Sequence, residues 1–383
     1  MLSVIASYDK NISTFLTLIR AGLWETAHIP HSWLSDLNTE LVGWGKIFML
    51  ADEQTVSGIL LSGIEKLPQC YRPSQDFLLN LIGNIQVLEY HNKAMNHFIS
   101  VLLQKMKFDR INVLLVKGQG IAQCYEKPLW RVNGDIDLFL DSNNYKKAIN
   151  LLSPLASKID KENPVKRHLS MTIDGWTVEL HGTLKTGLWK RLDNGINILQ
   201  KETFENQEFR IWKHEDTEIL LPSPNNDVVF VFCHILQHFF KEGIGLRQIC
   251  DWCRLLWTYR LEIDHKLLES RLKAMGLITE WKVFAAFSVE YLGMPVDAMP
   301  LFSTNRSLNK KAEKVLSFVM ETGNFGHKRD YSYYNKYSFG MYKAISFFRH
   351  TKDCMKYMEI FPMDSIKVWW SMIKLGVKMA IKK

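Results

Sequence analysis

Apolar positions along this chain change their period twice. Up to about residue 110 they recur at helical spacing, with Leu78, Leu79, Leu81, Ile82, Ile85, Val87 and Leu88 leading into Met95, Phe98, Ile99, Leu102 and Leu103. A stripe of that kind predicts helix. From Ile111 to Val116 the pattern becomes a continuous aliphatic and β-branched run closed by Lys117-Gly118, which reads as a buried strand. A short helix is predicted over 118–127, stopped by Pro128, and another over 145–157 carrying Ala148, Ile149, Leu151 and Leu152. Two alternating runs, 168–173 and 176–181, flank Asp174-Gly175, a strong hairpin turn. On the second run Thr177, Glu179 and His181 share one face, and Trp176, Val178 and Leu180 share the other. Pro222-Ser223-Pro224 followed by Asn225-Asn226-Asp227 then opens a helix, and helical periodicity returns.

The two changes of period divide the chain into an N-terminal helical region (1–109), an α/β core (110–221) and a C-terminal helical domain (222–383). The expected class is α+β, a mixed sheet with its helices held between two helical regions. At 383 residues, 47% hydrophobic and 23% charged, the chain has ordinary globular composition and ample length for a core. No uninterrupted apolar run is long enough to span a bilayer. The first ten residues lack a basic segment followed by an apolar block, so no signal peptide is expected. Six scattered cysteines do not resemble a disulfide framework, and a cytoplasmic location is expected. The net charge of +8 suits an anionic partner such as a nucleotide, nucleic acid or lipid headgroup, without choosing between them.

Candidate chemistry begins at Gly134-Asp135-Ile136-Asp137-Leu138-Phe139-Leu140, where two aspartates interrupt a buried strand pattern. Period two turns Asp135 and Asp137 to one side while Ile136 and Leu138 point into the core. Two neighbouring carboxylates repel unless a cation lies between them, and hard oxygen donors suit magnesium or manganese. The competing reading is a turn at the mouth of the strand with both side chains solvated. Glu179, on a later strand, would complete a set of three carboxylates able to hold two ions, clamp a nucleoside triphosphate and activate an attacking hydroxyl. Taken alone, Glu179 reads rather as a solvated residue on an amphipathic strand, and its phase with His181 and its place after the hairpin favour the set of three.

The ordered blocks Leu115-Val116-Lys117-Gly118, then 130–138 with Arg131 ahead of Gly134-Asp135-Ile136-Asp137, then Val178-Glu179-Leu180-His181, carry a resemblance. The chain resembles the uncharacterised bacterial nucleotidyltransferases of the polymerase-β superfamily over most of 35–275. That resemblance implies a polymerase-β-like nucleotidyltransferase core roofed by a C-terminal helical bundle. It implies that Asp135 and Asp137 bind two Mg²⁺ (or Mn²⁺) ions, with Glu179 completing the set and standing as first candidate for base toward the acceptor. Gly118, opening a helix, and Gly134 would approach the nucleotide, while Lys117 and Arg131 would supply charge to the triphosphate. The superfamily's usual glycine-serine pair is here Lys117-Gly118, and the interval to Asp135 is longer. Other uses fit the same residues: Lys117 pairing with an acid, Arg131 bracing its loop through backbone carbonyls, His181 standing behind the metal ligands or simply half-exposed.

The resemblance also implies that His234, His238, Arg247 and Asp251 form a polar cluster facing the cleft from the helical domain. Arg247 and Asp251 fit an i, i+4 helix ion pair equally well. His234 and His238 with Cys250 and Cys253 offer a zinc donor set in text, but the cysteines fall inside an apolar helical pattern. In the C-terminal stretch 366–383, Ile366, Trp370, Ile373, Val377 and Ile381 recur at helical spacing among Lys367, Lys374, Lys378, Lys382 and Lys383. Such a helix either packs on its own domain or makes weak contact with an anionic membrane surface. The expected function is metal-dependent transfer of a nucleoside monophosphate from an NTP to an acceptor, releasing pyrophosphate. A small molecule, sugar precursor, protein or RNA would serve as acceptor. The alternatives are a non-catalytic nucleotide-binding sensor or scaffold, and a membrane-surface factor in envelope polysaccharide assembly.

Overall fold

The computed structural model describes residues 9–25, 42–163, 166–324 and 339–381. The N-terminal periodicity becomes helices α1 (Lys10–Leu23), α2 (Trp44–Glu53), α3 (Ser57–Glu65) and the long α4 (Gln75–Phe108). The apolar stripe of α4 is narrower than its sequence suggests, because Leu79, Ile82 and Val87 stay exposed. Leu81 and Ile85 enter a helical core, whereas Met95, Ile99, Leu102, Leu103 and Met106 enter a second core beneath the sheet. One helix thus crosses both cores.

Among the described residues the sheet has five strands: β1 (Leu114–Val116), β2 (Ile136–Phe139), β3 (Lys158–Ile159), β4 (His168–Ile173) and β5 (Trp176–His181). Their order is β1-β2-β5-β4-β3, with β2 and β5 parallel and the other pairs antiparallel. The fold is therefore mixed α/β with a small mixed sheet. Asp174 (φ 49°) and Gly175 (φ 83°) both take positive φ in the β4–β5 turn, as a type I′ hairpin requires. Ile136, Leu138, Val178 and Leu180 fill the core beneath the sheet, against α4 and α6 (Ser142–Leu152). Val116 and Phe139 face the opposite way, into the helical core.

Several elements depart from the sequence reading. The helix expected over 118–127 is the single turn α5 (Gly118–Ala122), and a 3₁₀ turn follows at Pro128–Trp130. The helix expected over 145–157 starts earlier, where Asp141 accepts from the amides of Asn143 (2.8 Å) and Asn144 (2.9 Å). It ends at Leu152, ahead of a 3₁₀ turn containing Pro154. Helix α7 (Lys190–Asn206) and the hairpin of β6 (Phe209–His214) with β7 (Thr217–Pro222) were not signalled. On β6 the outward residues are Ile211 (54% exposed) and Lys213, so strand alternation is blurred there.

The helical layer above the sheet's other face comprises α8 (Pro224–Lys241), α9 (Leu246–Thr258), α10 (His265–Met275), α11 (Ile278–Leu292) and α12 (Arg306–Thr322). The N-terminal helices join the same core. Trp24 Nε1 donates to the Leu292 carbonyl (2.7 Å), Gln54 Nε2 to Val319 (3.1 Å) and Arg254 Nη1 to Leu23 (2.9 Å). Two further helices follow, α13 (Phe339–Met358) and α14 (Pro362–Ile381). In α14 Asp364, Ser365 and Val368 are buried and Trp369 and Met372 pack on the core, while Ile366 (41%) and Trp370 (52%) of the anticipated stripe are exposed. The side chains of Val377, Lys378 and Ile381, and all of Lys382 and Lys383, lie outside the described residues. Among the described residues, no helix is long and apolar enough to cross a membrane.

Candidate active site

Strand register assembles the acids. Asp137 of β2 pairs with Glu179 of parallel β5 and with Val116 of antiparallel β1, and His181 pairs with Phe139 and with His168 of β4. Asp135 stands one residue ahead of β2 and is exposed, whereas Asp137 is 4% exposed. Carboxylate oxygens of Asp135, Asp137 and Glu179 lie within 4.8 Å of one another. Such crowding has an electrostatic cost. The charge of Asp137, then burial and Glu179, push the Asp135 carboxyl up to about 6.

Asp137 and Glu179 escape the same fate because hydrogen-bonding partners touch them. Asp137 Oδ1 accepts from Lys117 Nζ (3.0 Å) and contacts His181 Nε2 (2.6 Å). Burial would raise Asp137, but the Lys117 ammonium and the His181 imidazole hold it well below the usual carboxylate range. Glu179 Oε2 contacts His168 Nε2 (2.9 Å) and His181 Nε2 (3.5 Å). Against burial, those two imidazoles lower Glu179 to about 2. The same bonds outweigh the desolvation of His181 and raise its pKa.

Lys117 reaches Asp137 from a strained backbone. Its φ of 57° with ψ of −143° lies in a region that residues other than glycine seldom occupy. Gly118 follows with φ 35°. Because α5 is one turn, little helix dipole is directed at a ligand there. Among the described residues a Cβ at Gly134 would meet nothing within 4 Å, so their packing does not require a glycine at that position.

Arg131 is fully engaged. Its Nε and Nη2 donate to the two oxygens of Asp251 (2.8 and 2.7 Å), and a further nitrogen reaches Asn133 Oδ1. Tyr125 Oη also donates to Asp251 (2.8 Å). Below the loop, Asn92 of α4 donates to the carbonyls of Leu129 (2.8 Å) and Arg131 (2.9 Å), and accepts from Gln119 Nε2 (3.0 Å). Buried polar groups that satisfy one another in this way fix the loop leading into Asp135. Asp251 spends its oxygens here, so the helix pair with Arg247 does not form. Arg247 instead donates through Nη1 to the Val132 carbonyl (2.6 Å), while its buried Nε has no hydrogen-bond partner among the described residues. Burial, and then the nearby Arg131, lower the pKa of Arg247.

From α8, His238 links Glu242 (Nδ1–Oε2 2.9 Å) to His234 (Nε2–Nε2 3.0 Å). Burial, followed by the charges of Lys117 and His238, holds His234 well below the ordinary imidazole pKa. The zinc set suggested by the text is not assembled. Among the described residues, two groups of three donors converge within 4.8 Å, Asp135/Asp137/Glu179 and His168/Glu179/His181, and neither contains a cysteine. Cys250 and Cys253 are fully buried in α9, and burial pushes the Cys253 thiol up to about 12.

All of this surrounds a cleft of about 340 Å³ between sheet and helical layer, within the usual range for ligand pockets. Asp135, Glu179 and Gly118 line its floor, His234, His238 and Arg247 its roof, and Lys166 and Lys185 also border it. Sequence reasoning missed His168, Asn92, Gln119, Tyr125, Asn133 and Glu242. Two of these were findable. Counting outward from the Asp174-Gly175 turn pairs His168 with His181, and Glu242 continues the i, i+4 ladder from His234 and His238.

The sequence model of a family described as "Uncharacterised nucleotidyltransferase" matches residues 40–293, about two thirds of the chain. Searches of curated proteins and of solved structures returned no match.

Proposed function

Because the chain belongs to that family of uncharacterised nucleotidyltransferases, we propose that this cleft moves a nucleoside monophosphate from an NTP to an acceptor hydroxyl or phosphate, releasing pyrophosphate. The observation that carries this reading is the convergence of Asp135, Asp137 and Glu179 on one open cleft. The carboxylates fit divalent cations: three oxygen donors crowd together, and their repulsion raises Asp135. Mg²⁺ or Mn²⁺ held there would polarise the phosphates and lower the pKa of the attacking hydroxyl. A polymerase-β-like core is part of the same proposal, supported by the parallel β2–β5 pairing that sets Asp137 beside Glu179.

The chain's own residues divide the remaining work. Lys117 neutralises Asp137 and supplies positive charge beside the acids. Gly118 and Gly134 let a nucleotide approach the backbone, since neither position has a side chain to obstruct it. Arg131 is committed to Asp251 and acts by holding the loop. Arg247 is the better candidate for the triphosphate, with Nε unpaired and its side chain on the cleft roof. Lys166 and Lys185 add charge at the cleft. Glu179 is the candidate to take the acceptor's proton, whereas His234, held well below the ordinary imidazole pKa, resists protonation.

The test is transfer of label from α-³²P-labelled ATP, GTP, CTP or UTP by the full chain and by its Asp135→Asn variant, using cell extract as the acceptor source. Asp135-dependent transfer would support the reading. Triphosphate binding without transfer, in an extract shown to contain acceptors for another nucleotidyltransferase, would favour a sensor. A membrane-surface contact has one observation in its favour, the exposed Ile366 and Trp370 beside Lys367 on α14. Co-sedimentation with anionic vesicles, lost in Trp370→Ala, would support that second reading.

A further inference from the structure

We infer that His168, Glu179 and His181 form a seat for a divalent transition ion of the zinc type, beside the aspartate pair and chemically distinct from it. This goes beyond the transfer reading, and its test needs metal binding alone.

The seat is built by strand pairing. His168 and His181 oppose each other across β4 and β5, so both imidazoles rise on the same face, with ring centroids 4.9 Å apart. Glu179 precedes His181 by two positions on β5 and shares that face. Its Oε2 lies 2.9 Å from His168 Nε2 and 3.5 Å from His181 Nε2, and the three donors all fall within 4.8 Å. Ligand atoms held about 2.0–2.2 Å from one tetrahedral ion are separated by roughly 3–3.5 Å. The two distances from Glu179 already stand near that spacing, on backbone fixed by the ladder. All three residues line the cleft, which gives an ion access.

Donor chemistry separates this seat from its neighbour. Asp135 and Asp137 offer only oxygen, which suits magnesium. Two imidazoles with one carboxylate favour zinc and its neighbours, and magnesium coordinates imidazole poorly. Asp137 touches both sides, its Oδ1 lying 3.0 Å from the Lys117 ammonium and 2.6 Å from His181 Nε2, so an ion in the seat would take that imidazole from Asp137. Glu179 belongs to both groups, so an ion between the imidazoles draws on the carboxylate that the aspartate pair also uses.

The experiment is isothermal titration of the tag-free full chain with Zn²⁺ in excess Mg²⁺, repeated with His168→Gln, His168→Ala and Asp135→Asn. One Zn²⁺ is expected to bind the wild type despite the magnesium. Both His168 variants should weaken it at least about tenfold, as expected for loss of a direct ligand. Titrated separately with Mn²⁺, these variants should bind as wild type does. Asp135→Asn should show the reverse, with Zn²⁺ retained and Mn²⁺ weakened. Zn²⁺ binding no tighter than Mg²⁺, or unchanged by both His168 variants while circular dichroism reports an intact fold, would overturn the inference. In that event the trio is only an ion-pair cluster, and the fate of Asp135→Asn would still judge the aspartate site separately.

Discussion

Arg131 and Asp251 form a buried two-point pair, at 2.8 and 2.7 Å, that fastens the loop before Asp135 to the helical layer. Breaking one side of such a pair leaves a charge stranded out of water. Asp251→Ala should therefore cost about 3–5 kcal/mol of stability, and the double variant Arg131→Met/Asp251→Leu should cost less than Asp251→Ala alone. Urea unfolding of the three proteins checks the order.

The two aspartates call for different variants. Asp135 is exposed and repelled by its neighbour, so Asp135→Asn should leave the melting temperature unchanged or raised. It should lower transfer by at least about a hundredfold. Asp137 accepts from Lys117 and contacts His181, so Asp137→Ala strands the Lys117 ammonium, weakens the hold on His181 and should lose about 1–3 kcal/mol as well as activity. Thermal melting beside the transfer assay separates the two effects. Full transfer by Asp135→Asn would remove that residue from the chemistry.

Arg247 has one nitrogen on the Val132 carbonyl and an Nε unpaired among the described residues. If it meets the triphosphate, Arg247→Ala should raise the NTP concentration needed for half-maximal binding by about tenfold or more, and Arg247→Lys should recover only part. Fluorescent nucleotide titration reads this directly. Unaltered nucleotide binding in Arg247→Ala would return the residue to a purely structural part.

Glu280 of α11 stands buried against Asp364 of α14, and its carboxyl is pushed from 4.5 up to about 9, chiefly by burial and then by Asp364. Between those two values the folded state keeps a proton that the unfolded chain has released. Stability therefore falls as pH rises through that window. Glu280→Gln should flatten this decline and stabilise the protein at pH 8 by at least about 1 kcal/mol. Melting curves from pH 5 to pH 9 test it, and parallel declines in both proteins would refute it.

Much of the site is legible in the amino-acid sequence. Alternation set the phase of Asp135 and Asp137 against Ile136 and Leu138, and of Glu179 against Val178 and Leu180, because a pleated strand leaves each side chain one face. The Asp174-Gly175 turn determined its own geometry and with it the β4–β5 register, since both residues had to accept positive φ. These are local properties, carried by neighbours in the chain. What tertiary structure alone decided is which distant groups meet. It chose Arg131, 120 positions away, over Arg247 as the partner of Asp251, and set Glu179 beside Asp137 through a parallel pairing. It also exposed Ile366 and Trp370 while burying Val368. Periodicity tells which side of an element is apolar or charged, but the partner is settled by packing, where burial makes an unpaired charge too costly to leave.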